Sequence, residues 1–402
     1  MSRIPDEFLQ RIPKTDLHVH LDGSLRLSTL IELARERDVP LPSFTEDGLR
    51  ELVFKPHYRD LTEYLSGFQW TCAVLQDRES LERVAYELAM DNAAEGVRYL
   101  EVRFAPQLNM HETQSFEEVM RAVDDGLRRA RTQLNSALKD GEPLFEYGII
   151  VCAMRFFTGG FSRYYREFVD AHRYSNPVEI TQYASLEAAK ATVKLRNESD
   201  IQIVGFDLAG AELGNPAAVH ERAFAWVHKH FINKTVHAGE AYGPESIFQA
   251  ITRLHADRIG HGLHLFNESL IRSDEVTDRT RYVKNLAKFI ADNRTTIEVC
   301  LTSNLQTSPD IREPRMHSLG RMLEENLSVT ICTDNRLVSH TTVTNELRLA
   351  IDTFDISPKQ LKNIIVYGFK RSFFYHPYPE KRRYVRTVID AYERLEREFG
   401  LV

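Results

Sequence analysis

Short runs of β-branched and other apolar residues recur eight times along the chain, separated by longer stretches with helical periodicity. The runs are Lys14–His18, Val97–Arg103, Phe145–Cys152, Ile201–Asp207, Lys234–His237, Asp257–Gly260, Thr296–Cys300 and Val329–Thr333. Between them fall helix-like segments such as Ser80–Glu95, Ser115–Leu138, Leu186–Asn197, Ala217–His230, Pro244–Leu254 and Arg281–Asp292. Alternation of this kind predicts parallel strands joined by right-handed crossovers. Eight repeats fit a closed (β/α)8 barrel of the TIM type better than an open sheet. The chain has 402 residues, and about 250 close such a barrel before insertions extend it.

Polar residues cluster where several of these runs end: His18 and His20, Arg103, Asp207, His237 and Glu240, His261, Ser303 and Asn304, Asp334 and Asn335. In a (β/α)8 barrel those ends converge on one face, where active sites are built. Residues scattered in sequence thereby become neighbours. The longest connections follow strands one and three. Residues 24–96 carry the helix-like Leu25–Arg37 and the aromatic stretch Tyr64–Trp70, expected as a lid over the mouth or as extra helices on the barrel. The Arg- and Tyr-rich segment Phe156–Ser185 reads either as a wall shaping the pocket or as a decorated surface helix. An amphipathic helix, Arg382–Phe399, ends the chain. No repeat or Gly/Ser linker divides it, so residues 1–402 read as a single barrel domain.

The formal charge of −7 disfavours nucleic acid or an anionic membrane as a partner. No apolar run of about 18 residues is present to span a bilayer, and the acidic N-terminus lacks the apolar core of a secretory signal, so a cytoplasmic location is expected. The four cysteines, Cys72, Cys152, Cys300 and Cys332, lie far apart with no C-x-x-C, and read as free thiols.

His18 and His20 are two apart on a strand and therefore point to one side. His237 closes the fifth run and Asp334 the eighth. Three imidazoles and a carboxylate form an N/O set suited to zinc with room for a water. Alone, an H-x-H pair is a weak signal, and a carboxylate after a strand can simply cap a helix; four such residues at one mouth are a stronger one. Glu240, in a Gly-containing turn, and His261, between Gly260 and Gly262, supply acid–base chemistry beside that set. The other eleven histidines, His220 and His317 among them, lack this placement and read as surface or packing residues.

These residues match a family. Pro13–Ser24 resembles the opening strand of adenosine deaminases in the amidohydrolase superfamily. So do Asp207-Leu208-Ala209-Gly210-Ala211-Glu212, His237-Ala238-Gly239-Glu240, Arg258–Gly262, Thr302-Ser303-Asn304 and Thr333-Asp334-Asn335, in the family's order. The resemblance implies a hydrolase that adds water to C6 of a 6-aminopurine nucleoside and expels ammonia, with adenosine as the first substrate to consider. It implies one Zn2+ per chain on His18, His20, His237 and Asp334. Glu240 would protonate ring N1, and His261 would steer the water with help from Asp334. The Gly210 N–H would meet ring N3, Asp22 would accept from a sugar hydroxyl, and His20 and Asn335 would also face substrate. The chain departs from the family in two places: Asn335 stands where many members have Asp, and Leu301-Thr302 where many have Cys-Pro. Rival readings are a 5′-modified adenosine such as aminodeoxyfutalosine, free adenine, an amide- or ester-cleaving amidohydrolase, and a silent binding protein on the same barrel.

Overall fold

All eight expected runs are strands in the computed structural model, which describes residues 4–311 and 313–401. They are β1 (Lys14–His20), β2 (Val97–Phe104), β3 (Glu146–Met154), β4 (Ile203–Ala209), β5 (Asn233–Ala238), β6 (Arg258–His261), β7 (Thr296–Val299) and β8 (Val329–Ile331). They pair in parallel in sequence order, as one eight-stranded sheet. Strands β1 to β3 run further toward their C-terminal ends than the apolar runs indicate. The ladder there continues through residues that face the polar mouth, as in the pairs His20 with Arg103 and Arg103 with Ile150.

The sheet becomes a barrel at the β8–β1 seam, and Asp334 makes that seam. Its N–H donates to His18 O at 2.8 Å, and its carbonyl accepts from His20 N–H at 2.7 Å. Apolar residues of both barrel and helices form one cluster running from Ile4 to Tyr392.

The barrel interior is polar at its centre. Arg103, Glu101, Arg258, Glu298 and Asp207 are all essentially inaccessible. They are tolerable because they are paired. Arg103 Nη1 meets Asp207 Oδ2 at 2.8 Å and Nη2 meets Glu298 Oε2 at 2.9 Å, while Arg258 binds Glu298 Oε1 at 2.6 Å and also Glu101.

Local signals explain the helix boundaries. Phe116–Ser136 begins at a capping box of Ser115 and Glu118, and Pro177–Glu198 at one of Asn176 and Glu179 with Pro177 in the first turn. That second helix takes in the end of the segment expected as an elaboration. The rest of it forms a short helix, Arg163–Ala171. Phe157 stacks on Tyr165 at 4.0 Å, and both pack with Cys152 and Ala209 over the ends of β3 and β4. The connection after β1 holds five helices, Leu27–Glu36, Glu46–Leu52, Leu61–Ser66, Phe68–Val74 and Arg78–Ala94. Tyr58 and Tyr64 tie it to the loop after β8, through Val338 O at 3.2 Å and Ser339 Oγ at 2.8 Å. The final helix, Tyr378–Glu398, packs Tyr392 edge-on against Phe8. The four cysteines are free thiols, three of them buried.

Candidate active site

Three imidazoles and a carboxylate converge on one point at the C-terminal mouth. The ligand atoms of His18, His20, His237 and Asp334 all lie within 4.8 Å of one another. His237 Nε2 is 3.1 Å from Nε2 of both His18 and His20, and Asp334 Oδ1 is 3.4 Å from the same two nitrogens. Bonds of about 2.0–2.1 Å to zinc in a tetrahedron put ligand atoms roughly 3.3 Å apart. The four separations of 3.1–3.4 Å match that spacing, so the donor set is compatible with such an ion.

The far side of each ligand explains why these atoms face inward. Glu298 Oε2 is 2.8 Å from His18 Nδ1, and Asp207 Oδ2 is 3.1 Å from His237 Nδ1. A carboxylate on Nδ1 leaves the Nε2 lone pair free to bind a metal. Ser303 Oγ donates to Asp334 Oδ2 at 2.6 Å, so Oδ1 is the oxygen left for the cluster. Despite burial, Asp334 stays ionised, because its hydrogen bond to His18 and the facing rings of His261 and His20 outweigh desolvation.

Two of these positions have unusual backbones. His261 ends β6 with φ of 64°, and Asp334 follows β8 with φ of 62°. Left-handed conformations are uncommon for residues with a Cβ and concentrate at functional sites. Gly260 is required for a different reason: a Cβ there would sit 2.9 Å from His18 Cε1. Gly260 therefore makes room for a ligand ring.

Glu240 lies in the turn after β5, and Glu212 builds that turn. Its carboxylate accepts from the N–H groups of Gly239 (2.9 Å), Glu240 (2.9 Å), Ala241 (2.6 Å) and Tyr242 (2.9 Å), and from Ser246 Oγ. Burial, then the nearby charges of Asp334 and Glu212, raises the Glu240 carboxyl well above its ordinary value, in the direction that favours its protonated form. His261 Nε2 is 3.7 Å from its Oε1.

Asp22 is buried just past β1. Its Oδ1 has no partner, its Oδ2 is 3.9 Å from Cys72 Sγ, and burial pushes its pKa up to about 7. Gly210 follows β4 with φ of 99°, and a Cβ there would touch Met154 Cε at 3.4 Å. Asn335 is buried behind Gly23 with its Oδ1 unpartnered, and its Nδ2 donates to Tyr64 Oη at 2.9 Å. Asn335 is expected to face substrate, and in this arrangement its only donor is engaged by the helix Leu61–Ser66. Turning the amide would let Oδ1 accept from Tyr64 and would release Nδ2.

Sequence reasoning gave no role to Glu298, Glu212 or the carboxylate of Asp207, nor any to His317, which lies 3.1 Å from Asn304. A signal existed for Glu298 in the isolated charge inside Thr296–Cys300. Nothing in the sequence marks His317.

The model of the adenosine deaminase family matches residues 13–391. Adenosine deaminase 1 of Streptomyces coelicolor is 33% identical, covering 98% of this chain and 90% of that one. The chain belongs to the adenosine deaminase family. A probable adenosine deaminase of Dictyostelium discoideum is 34% identical over 92% of this chain, which spans only 42% of that relative's length. The solved structure of the Arabidopsis N6-mAMP deaminase superposes with a TM-score of 0.73 at 25% identity, covering 96% of this chain and 99% of that one. Members of the family are metal-dependent hydrolases acting on a cyclic amidine, and the His/Asp cluster is compatible with that metal. Among the described residues, no helix is long and apolar enough to cross a membrane.

Proposed function

We propose that this protein is a zinc-dependent deaminase of adenosine or a closely related 6-aminopurine nucleoside, releasing ammonia and the 6-oxo nucleoside. The observation that carries the reading is a four-donor N/O cluster with a buried carboxyl, Glu240, on the same mouth and facing His261 at 3.7 Å. His18, His20, His237 and Asp334 are the residues that would hold the ion. What zinc supplies there when bound is a nucleophilic oxygen at neutral pH and Lewis-acid stabilisation of developing charge.

The remaining roles fall to this chain's own groups. Glu240 donates its proton to ring N1, making C6 more electrophilic as its 6-amino group becomes a leaving group. A carboxyl kept neutral by burial can do this at neutral pH. His261 faces Glu240 and orients the attacking oxygen. The Gly210 N–H meets ring N3, and the left-handed turn at that glycine allows close approach of the base. Asp22 offers a buried, unpartnered acceptor, which suits a sugar hydroxyl and favours a nucleoside over free adenine. Asn335 meets the purine edge once its amide is turned. The purine is held as a small molecule, and the protein works in the cytoplasm.

The test is formation of the 6-oxo purine, with release of ammonia (or of methylamine from N6-methyl-AMP), from a panel of adenosine, 5′-substituted adenosines including aminodeoxyfutalosine, N6-methyl-AMP and adenine, with and without a chelator. Adenosine is expected to lead the panel, with activity lost on chelation and restored by zinc. Full turnover in metal-free protein, or no turnover of any 6-aminopurine, refutes the reading.

A further inference from the structure

The ring of His261 is held from behind by two side chains outside the barrel. Its Nδ1 lies 3.1 Å from Nδ2 of Asn304, on the helix Leu301–Thr307, and Asn304 Oδ1 lies 3.1 Å from His317 Nε2. His317 Nδ1 accepts from the backbone N–H of Leu319 at 3.0 Å. His261, Asn304 and His317 are all buried, so water offers them no alternative partners.

One donor in this row is fixed by covalent structure, and it sets the direction of the rest. A peptide N–H can only donate, so His317 Nδ1 carries a lone pair and the ring's hydrogen sits on Nε2. That N–H donates to Asn304 Oδ1. The other end of the amide is then its NH2 group, which donates to His261 Nδ1. Reversing the amide would set its NH2 against the Nε2–H of His317 and its oxygen against a ring nitrogen that would then have to carry hydrogen. His261 Nδ1 is therefore an acceptor, and the neutral ring presents N–H at Nε2, the atom facing Glu240.

We propose that Asn304 and His317 are positioning residues that lock His261 in its Nε2–H tautomer, making it a hydrogen-bond donor to the attacking oxygen and not a proton acceptor. No proton changes place in this role. The donated hydrogen bond points an oxygen lone pair toward C6 and stabilises negative charge on it. The catalytic half of the proposal rests on the deaminase reading above; the tautomer is a property of the folded chain alone.

Ring-labelled histidine settles the tautomer, because two-bond 1H–15N correlations give distinct patterns for Nε2–H, Nδ1–H and doubly protonated rings. With His261 and His317 identified by loss of their signals in His261→Asn and His317→Gln, both are expected as Nε2–H in the zinc-loaded protein at neutral pH. Asn304→Asp keeps the shape but offers only acceptors, so it is expected to turn His261 to Nδ1–H. It should then lower kcat by about a hundredfold, the scale of losing one preorganised donor, with KM nearly unchanged. A wild-type His261 with hydrogen on Nδ1 overturns the proposal, as does an Asp variant with a reversed ring and undiminished kcat. Should Asn304→Asp fail to fold, the wild-type spectrum still decides, and His317→Gln, whose amide can donate to Asn304 Oδ1, is expected to keep the tautomer. A chain that deaminates no purine would sink the proposed function and leave the tautomer assignment standing.

Discussion

Replacing Asp207 by Asn tests whether the charges beneath the mouth serve the metal or only the fold. The Asp207 carboxylate faces donors on every side: Arg103 Nη1 at 2.8 Å, His237 Nδ1 at 3.1 Å, and the Leu208 N–H at 2.7 Å from Oδ1. An Asn has one acceptor oxygen where the Asp has two. Whichever way its amide turns, its NH2 meets a donor. If the oxygen takes the Oδ2 place it still faces both Arg103 and His237 Nδ1, but as a neutral and weaker acceptor, which loosens the hold that keeps His237 Nε2 free for metal. Loss of such a carboxylate behind a ligand costs about 10–100-fold in metal affinity, or roughly 1.4–2.7 kcal/mol. Breaking a buried ion pair costs about 3–5 kcal/mol of stability, and Arg103 retains Glu298, so the lower end is expected. Zinc affinity by chelator competition and unfolding of the metal-free protein measure the two separately. Activity should be rescued in part by excess zinc. An unchanged zinc affinity in a destabilised Asn variant would show that Asp207 supports the barrel alone.

Glu240→Gln is expected to keep fold and zinc content while cutting kcat roughly 10²–10⁴-fold, the usual scale for a positioned acid; loss of zinc in that variant would reassign the residue as a ligand. Asp22→Ala should weaken nucleosides more than free adenine in kcat/KM, and equal losses would remove sugar recognition from its role. Stability should fall with acid through His220, whose imidazole is pushed down to about 3 by burial and by the charge of Arg155. The unfolded ring titrates near its ordinary value of about 6.5, so the unfolded chain binds the extra proton between those values. The contribution is complete above about pH 6.5 and declines by about 1.4 kcal/mol per pH unit as pH drops toward 3. Denaturant midpoints should show a shallower acid slope in His220→Gln, and an identical slope would refute the assignment.

The barrel was legible because its strands are buried on both sides and so read as unbroken apolar runs, such as Ile149-Ile150-Val151 in β3. The four cluster residues were legible because each stands where a run gives way to polar residues. Strand ends were less legible: His20 and Met154 belong to ladders that continue past the apolar segment, and pairing there is set by neighbouring strands. The supporting residues were hidden for a related reason. Glu298 and Glu212 act through partners distant in sequence, and a carboxylate reads the same whether it caps a turn of four N–H groups or faces solvent. His317 shows this most clearly, since its significance lies in one contact with Asn304 and in the polarity imposed by Leu319. The segment 156–185 gave no decisive signal because its aromatic residues divide between the two roles: Phe157 and Tyr165 are buried over β3 and β4, whereas Phe156, Phe161 and Tyr174 are exposed.

The seam at Asp334 ties synthesis and metal supply together. His18 and His20 leave the ribosome well before the residue that joins β8 to β1. A nascent chain can offer two histidines for hundreds of residues before it can offer four donors. An ion gripping His18, His20 and Asp334 would then act as a clasp across the longest loop in the molecule, where ring closure is entropically most demanding. If the cluster holds its ion in this way, metal shortage is expected to leave barrels that open at one seam, with β1 and β8 cut by proteases before the strands between them.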